Sequence, residues 1–470
     1  MSSTAPHHHL EALLEADKNA WPLLKKERSW GSWKLGISLV TAAAATWCYI
    51  IGEYVGYYLN FDKGFAALFA GSMIGMLIVT LAAAPICIRF GVDSIASTKP
   101  SFGSRGWIIP AAMQQISIIG WNSLLLIFFA KSTTQLLLAL GIMTDGGSKL
   151  LVPATILLAC ALVFLFLLKG SSGVERVSKI LVAHVFVGLW MLYIILDKRW
   201  GDLSTAVPAS ASPIPLWNYT TGVEIGIVSL LSWWPYLGAM IRMAPNGRTA
   251  AVPIMVGMGA PVPLLSMIGI AGILVLKVSD PSEWLRTIGG PTYGIVALVF
   301  VAAANLGTAV AGVYASAIGL RHFPACEKLS WTTLLALAIG PVILVGFLIP
   351  ELFFANFGSF LAFIGLAFAP LCGIQITDYY FLRRREINIR WMFSGTKQSG
   401  YWFTGGFNVA AILAMIAGFA TYRYLLDPLT YASNTPYEYV TASLPAAVMA
   451  GIIYAIMTLT WNKRTQKGGY

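Results

Sequence analysis

Two short segments hold the residues best suited to chemistry. Thr46-Trp47-Cys48-Tyr49-Ile50-Ile51-Gly52 and Ser232-Trp233-Trp234-Pro235-Tyr236-Leu237-Gly238 each open on a hydroxyl, follow it with tryptophan, and place glycine six positions after the hydroxyl. They begin 186 residues apart, inside long apolar runs. Glycine and proline within a helix weaken or remove backbone hydrogen bonds. The groups so freed are tolerated at mid-membrane only where they line a protein-enclosed cavity. Counted at about 1.5 Å per residue, Trp121-Asn122 and Asn305 fall at similar depth in two other runs. Tryptophan ordinarily prefers the membrane interface, where its ring N–H stays wet. Several indoles at half-depth need partners, and a flat aromatic solute supplies them, each stacked pair contributing about 0.5–1.5 kcal/mol beyond burial. The expected chemistry is therefore reversible binding of a planar guest by Trp47, Trp121, Asn122, Trp233, Trp234 and Asn305.

Bond-making chemistry is not expected. The sequence has no G-x-x-x-x-G-K-[ST] loop, no nucleophile elbow and no His/Glu metal spacing, so neither an enzyme nor direct ATP drive is anticipated, and no cofactor or metal is implied. Any accumulation of solute has to draw on an ion gradient, Na⁺ or H⁺, or on the gradient of the solute itself. Asn305, Thr308, Gly312 and Ser316 share one helical face. An amide at mid-bilayer is costly unless bonded, which favours a ligand or inter-helix partner for Asn305. Ionisable residues inside apolar runs are functional candidates by default. Glu53, just beyond the first Trp segment, could bond a ring N–H of a guest or line an outer vestibule; Glu224 lies in the outer part of another run. His184 and Thr308 could take part in ion coupling, and Gln114, two turns below Trp121, could line an inner path. Lys131 can reach outward to the interface, and Asp378 pairs most simply with the arginines beside it.

The elements that must position these residues follow from composition. Of 470 residues, 57% are hydrophobic and 11% charged, and the mean hydropathy is +0.73. A soluble chain carries about 25% charged residues. The apolar excess sits in runs long enough to cross a bilayer, which takes about 20 residues of helix. Twelve such spans are placed near 34–60, 64–89, 106–141, 150–168, 178–196, 219–242, 251–278, 291–320, 331–349, 356–382, 403–425 and 439–461. With the N-terminus inside, 23 of the 31 basic residues fall in inner segments and 7 in outer ones, as the positive-inside rule requires. Both termini are thus expected to be cytoplasmic, in a multi-pass protein of the cytoplasmic membrane. The net charge of +11 belongs to inner loops and does not point to nucleic acid. Five scattered cysteines give no disulfide framework. The bilayer and a small solute are the implied partners; no obligate protein partner is inferred.

Pro370-Leu371-Cys372-Gly373-Ile374-Gln375-Ile376-Thr377-Asp378-Tyr379-Tyr380-Phe381-Leu382-Arg383 resembles the end of span ten in the nucleobase–cation symporters, the purine, cytosine, hydantoin, allantoin and hydroxymethylpyrimidine permeases. Lys99-Pro100-Ser101-Phe102-Gly103-Ser104-Arg105-Gly106, followed by Gly120-Trp121-Asn122, is similar to that family's loop and third span, and Ser232-Trp233-Trp234-Pro235 with Arg242 to its hydroxymethylpyrimidine branch. The resemblance implies an all-α, leucine-transporter type of fold: a cytoplasmic segment 1–33, inverted repeats over 34–196 and 219–382, two extra spans over 403–461, and a cytoplasmic tail 462–470. It implies import of a planar nitrogen heterocycle by cation-coupled alternating access, the ring held between Trp121 and either Trp233 or Trp234. Departures lie at Leu125, where relatives carry a ring-binding amide, at Gly312, which takes the place of a substrate-binding asparagine, and at Leu306 and Gly307, which replace sodium-binding hydroxyls beside Thr308. An amino-acid or amine carrier on the same fold and a membrane sensor without transport are the alternatives.

Overall fold

The computed structural model describes residues 18–143, 151–278 and 281–470. Among the described residues, eight apolar helices are long enough to cross a bilayer: Phe61–Phe90, Ile108–Ala139, Ser171–Thr205, Gly247–Leu276, Thr292–Leu320, Trp331–Leu348, Phe357–Leu382 and Ser443–Asn462. Two bent pairs supply further spans, Ser32–Ala43 with Trp47–Gly56 at 55° and Pro215–Leu231 with Trp234–Ile241 at 41°. The shorter apolar helices Leu151–Leu167 and Val409–Leu425 complete the series. All twelve coincide with the expected runs, so span numbers keep their meaning.

Span five overruns its expected end, reaching Thr205 rather than 196, and two starting boundaries differ for physical reasons. Span five begins at Ser171, not near 178, because its first turns are amphipathic: Glu175 pairs with Lys34 and with Lys179, and these charges hide the helix from a hydropathy reading. Span eleven begins at Val409, capped by Asn408, whose side chain accepts from the Ala410 N–H at 3.1 Å. The preceding residues turn tightly, with Gly405 and Gly406 at positive φ.

Span one also breaks in an unexpected place. The helix stops at Ala43 and restarts at Trp47, five residues before the glycine that looked like the breaker. Span eight takes up the freed backbone groups. Thr308 Oγ1 donates to Ala42 O at 2.8 Å, and the Thr46 N–H donates to Asn305 Oδ1 at 3.3 Å. Cys48 Sγ adds a bond to Ala43 O at 3.1 Å. Gly52 lies within the second half-helix, where it lets span seven approach; a Cβ there would collide with Ser266 O. In span six, Pro235 opens the second half-helix rather than interrupting one, as a residue without an N–H does best in a first turn.

The site is framed by long helix contacts: span three antiparallel along span eight, span two parallel along span six, and the second half of span one parallel along span seven. Spans ten, eleven and twelve pack together beside them. Two buried carboxylates fasten this frame. Asp378 accepts from Arg383 Nε at 2.8 Å, the basic neighbour expected, and from the hydroxyls of Tyr454 at 2.9 Å and Tyr470 at 2.7 Å. Glu224 accepts from the Ala442 and Ser443 N–H groups, both at 3.1 Å, and from Ser443 Oγ at 2.6 Å. It therefore ties the first half of span six to the start of span twelve. Glu224→Ala leaves three buried donors without an acceptor, at about 1–3 kcal/mol each before relaxation. Thermal unfolding in detergent is expected to show a transition lowered by well over 5 °C, with Glu224→Gln in between; an unchanged transition in the alanine variant would refute the tie.

Candidate functional site

The bend of span one places Trp47 at the head of its second half-helix, and the bend of span six leaves Trp233 at the junction of its two halves. Span three passes both at Trp121. The three indoles meet: Trp47 lies 5.5 Å from Trp121 and 5.8 Å from Trp233 between ring centroids. Tyr236, one turn beyond Trp233, stacks obliquely on it at 4.9 Å. Phe357 and Phe360 of span ten close the other side of Trp121, at 5.2 and 5.9 Å. The three indoles and Tyr236, with Leu125, Ser232 and Thr308, surround a cavity of about 10 Å³, room for about one water. A planar guest therefore enters only as the rings part.

Polar chemistry is concentrated here. Thr46 Oγ1, the Nε1 atoms of Trp47, Trp121 and Trp233, both amide atoms of Asn122, Tyr236 OH and Asn305 Nδ2 are all buried and without a hydrogen-bond partner. Most buried polar groups in proteins are paired, and each exception costs about 1–3 kcal/mol. Seven such residues form one continuous patch. Thr46 and Asn305 are bonded to each other, Trp47 follows Thr46, and the Asn122 amide packs against Gly312 and Tyr236. The arrangement offers indole and amide donors, one amide acceptor and two hydroxyls on an aromatic wall, with no ionised side chain lining the cavity. It suits a neutral, flat, hydrogen-bonding molecule.

Four of the expected site residues stand elsewhere or cannot be placed. Trp234 turns away from the rings: its Nε1 donates to Gln375 Oε1 at 2.7 Å and its ring lies against Phe368. Of the two adjacent tryptophans, Trp233 alone faces the cavity. Gln114 donates to Ala315 O at 3.4 Å and its neighbour Gln115 exchanges bonds with Ser316, so this pair clamps span three to span eight about 10 Å below Trp121. Glu53 accepts from Tyr57 OH at 2.9 Å, two turns outward of Trp47. The side chain of His184 lies outside the described residues. Thr308 does reach the ring cavity while holding the break of span one. Tyr236, Phe357 and Phe360 were not anticipated; for Tyr236 the signal was its place one helical turn after Trp233.

Comparison with known proteins fits this geometry. A family model described as permease for cytosine/purines, uracil, thiamine, allantoin matches residues 22–442. The purine-uracil permease NCS1 of Arabidopsis thaliana is 23% identical over 438 residues, which cover 87% of this chain and 72% of the relative. The cytosine permease of Escherichia coli (strain K12) is 22% identical over 420 residues, covering 86% and 92%. Among solved structures, the nucleobase-cation-symport-1 family transporter MHP1, in a closed conformation with bromovinylhydantoin bound, is similar with a TM-score of 0.76 at 19% identity, over 94% of this chain and 96% of that one. A Na⁺-coupled sialic acid symporter shares the fold at a TM-score of 0.60 and 13% identity, over 96% of each chain. The fold is thus the leucine-transporter type, and the family model covers nearly the whole frame around the indoles. On that match the chain belongs to the family of permeases for cytosine/purines, uracil, thiamine and allantoin, and is a multi-pass membrane transporter rather than an enzyme.

Proposed function

We propose that the chain imports a planar nitrogen heterocycle, a nucleobase or a related pyrimidine, purine or hydantoin, across the cytoplasmic membrane by alternating access driven by a cation gradient. The observation that carries this reading is the patch of unpartnered buried donors and acceptors on the three facing indoles. Trp121 and Trp233 stack on the two faces of the ring, while Trp47 closes its edge. The Asn122 amide, Asn305 Nδ2 and Tyr236 OH meet the ring's N–H and C=O groups. The names of the relatives support the substrate class: purine-uracil, cytosine and a bromovinylhydantoin complex. The domain division expected from the resemblance, inverted repeats over 34–196 and 219–382, is retained in this proposal, with both termini cytoplasmic. Glu53 then lies on the outer approach and Gln114 on the inner one.

For the cation, Thr308 is central. Its hydroxyl donates to Ala42 O, which leaves its oxygen lone pairs free beside the carbonyls of the broken helix. Uptake of labelled cytosine, uracil, hypoxanthine, allantoin and hydroxymethylpyrimidine into proteoliposomes tests the reading, with competition by amino acids as the contrary result. At least one heterocycle is expected to accumulate when a sodium or pH gradient is imposed, and the gradient that drives it identifies the ion. Competition by zwitterions with none by heterocycles would sink the assignment. Equal uptake with neither gradient would remove the coupling while leaving the substrate class.

A further inference from the structure

A second cavity, of about 630 Å³, opens at the cytoplasmic end of the fold, away from the indole cluster. Its walls come from four regions: the chain at Asn19–Trp21, the loop and start of span three, the end of span eight from Arg321 to Pro324, and the loop at 392–395. Lys99, Arg105 and Arg321 line it against the single carboxylate of Glu327.

Lys99 is the informative residue. It lies 8% exposed on the short helix Ser94–Phe102. Its ammonium faces aromatic rings, 4.6 Å from the Phe393 centroid and 5.7 Å from that of Trp107, and among the described residues no carboxylate forms an ion pair with it. Burial draws its pKa down to about 8, so it remains cationic at neutral pH. Asp93, whose charge reaches this corner, accepts at its Oδ1 from His322 Nε2 at 2.8 Å. Arg105 is exposed, over the Trp402 ring at 4.9 Å. Arg321 spends part of its guanidinium on the Glu327 and Leu329 carbonyls. Ser104 Oγ is buried without a partner on the same wall. Span three also starts here, and the first turn of a 32-residue helix favours negative charge. Aromatic faces flank these groups: Trp21 stacks with Phe393 at 5.3 Å, and Trp107 meets Phe323 at 5.2 Å.

A buried cation with no ion-pair partner among the described residues, an unpartnered hydroxyl and a helix start call for an anion; the aromatic walls call for a ring attached to it. We propose that this cavity is a second ligand site, which takes an aromatic organic phosphate of nucleoside-monophosphate size. Its volume is in the range that holds small organic ligands. Lys99, Arg105 and Ser104 meet the phosphate, while Trp107 and Trp21 receive the base. The inference is independent of what the mid-membrane rings carry.

Calorimetric titration of the full-length protein in phosphatidylcholine nanodiscs with uridine 5′-monophosphate, uridine and inorganic phosphate tests it. The monophosphate is expected to bind at least tenfold more tightly than uridine or phosphate alone, and to weaken as salt is raised. Binding is expected to persist in Trp233→Ala, which separates this site from the membrane-embedded one. It is expected to fall tenfold or more in Lys99→Gln and to survive in Lys99→Arg. Arg105→Gln, a change at an exposed position, carries the test if Lys99→Gln does not fold. Undiminished binding in both neutralised variants, loss in Trp233→Ala, or phosphate binding as tightly as the nucleotide overturns the proposal. So does loss of nucleotide binding when phosphatidylglycerol replaces part of the lipid, since a headgroup would then hold the site.

Discussion

Trp233→Ala is expected to raise the KM for heterocycle uptake about 5–160-fold, the range set by the roughly 1–3 kcal/mol that a stacked base contributes on an aromatic side chain. Trp121→Ala should match it, because the two indoles flank one cavity with Trp47 between them. The neighbouring tryptophan supplies the control. Trp234→Phe removes the bond to Gln375, which itself donates to Ser97 at 3.0 Å, and leaves a buried amide oxygen unpaired at about 1–3 kcal/mol. That variant should unfold at lower temperature in detergent while its KM stays within about twofold of the parent. If Trp233→Ala transports with an unchanged KM, or if Trp234→Phe shifts the KM as far, the aromatic clamp has been assigned to the wrong ring.

The twelve spans were legible because a bilayer demands the same thing at every crossing: some 20 apolar residues, with every backbone group satisfied within the helix. The site was legible only as a set of residue types at half-depth. Consecutive residues of a helix point about 100° apart, so Trp233 and Trp234 had to diverge, but which one faced the cavity depended on the bend between Leu231 and Trp234. Gln114 read as a path residue, and the bond that ties it to span eight was hidden because the carbonyl of Ala315 opposite it is distant in sequence.

The break in span one shows why the remainder was hidden. Ala42-Ala43-Ala44-Ala45 is the strongest helix-forming stretch in that span by intrinsic propensity, and nothing in it signals an interruption. The helix ends there because Asn305 and Thr308 supply, from span eight, bonds that replace those lost. The cause lies about 260 residues away in sequence. Gly52 carried the local signal for a break, yet it serves the crossing with span seven. Composition reports what a helix can do alone, and tertiary hydrogen bonds decided what this one does. The same two side chains thus open the backbone beside Trp47 and reach the ring patch, which couples the shape of span one to the polar chemistry of the site.

Gly312 carries the second large effect. On span eight it faces Asn122, and a Cβ there would collide with the Asn122 amide and lie 2.8 Å from Tyr236 Cε1. The amide of span three therefore occupies the space that a side chain at 312 would fill, and the family resemblance places an asparagine at that position. Gly312→Asn should lower uptake at least tenfold, since both Asn122 and Tyr236 must move and both belong to the ring patch. Asn122→Ala should also lower it, about tenfold, through lost bonds rather than a clash. The two changes made together should transport better than Gly312→Asn alone, because the new amide enters the space the old one has left. A coupling of about 1–3 kcal/mol between contacting residues is the usual scale, so recovery of roughly tenfold is the expected result. Uptake in the double variant no better than the product of the two single losses would show that the amides do not share one space, and that Asn122 is not the group which reads the edge of the heterocycle.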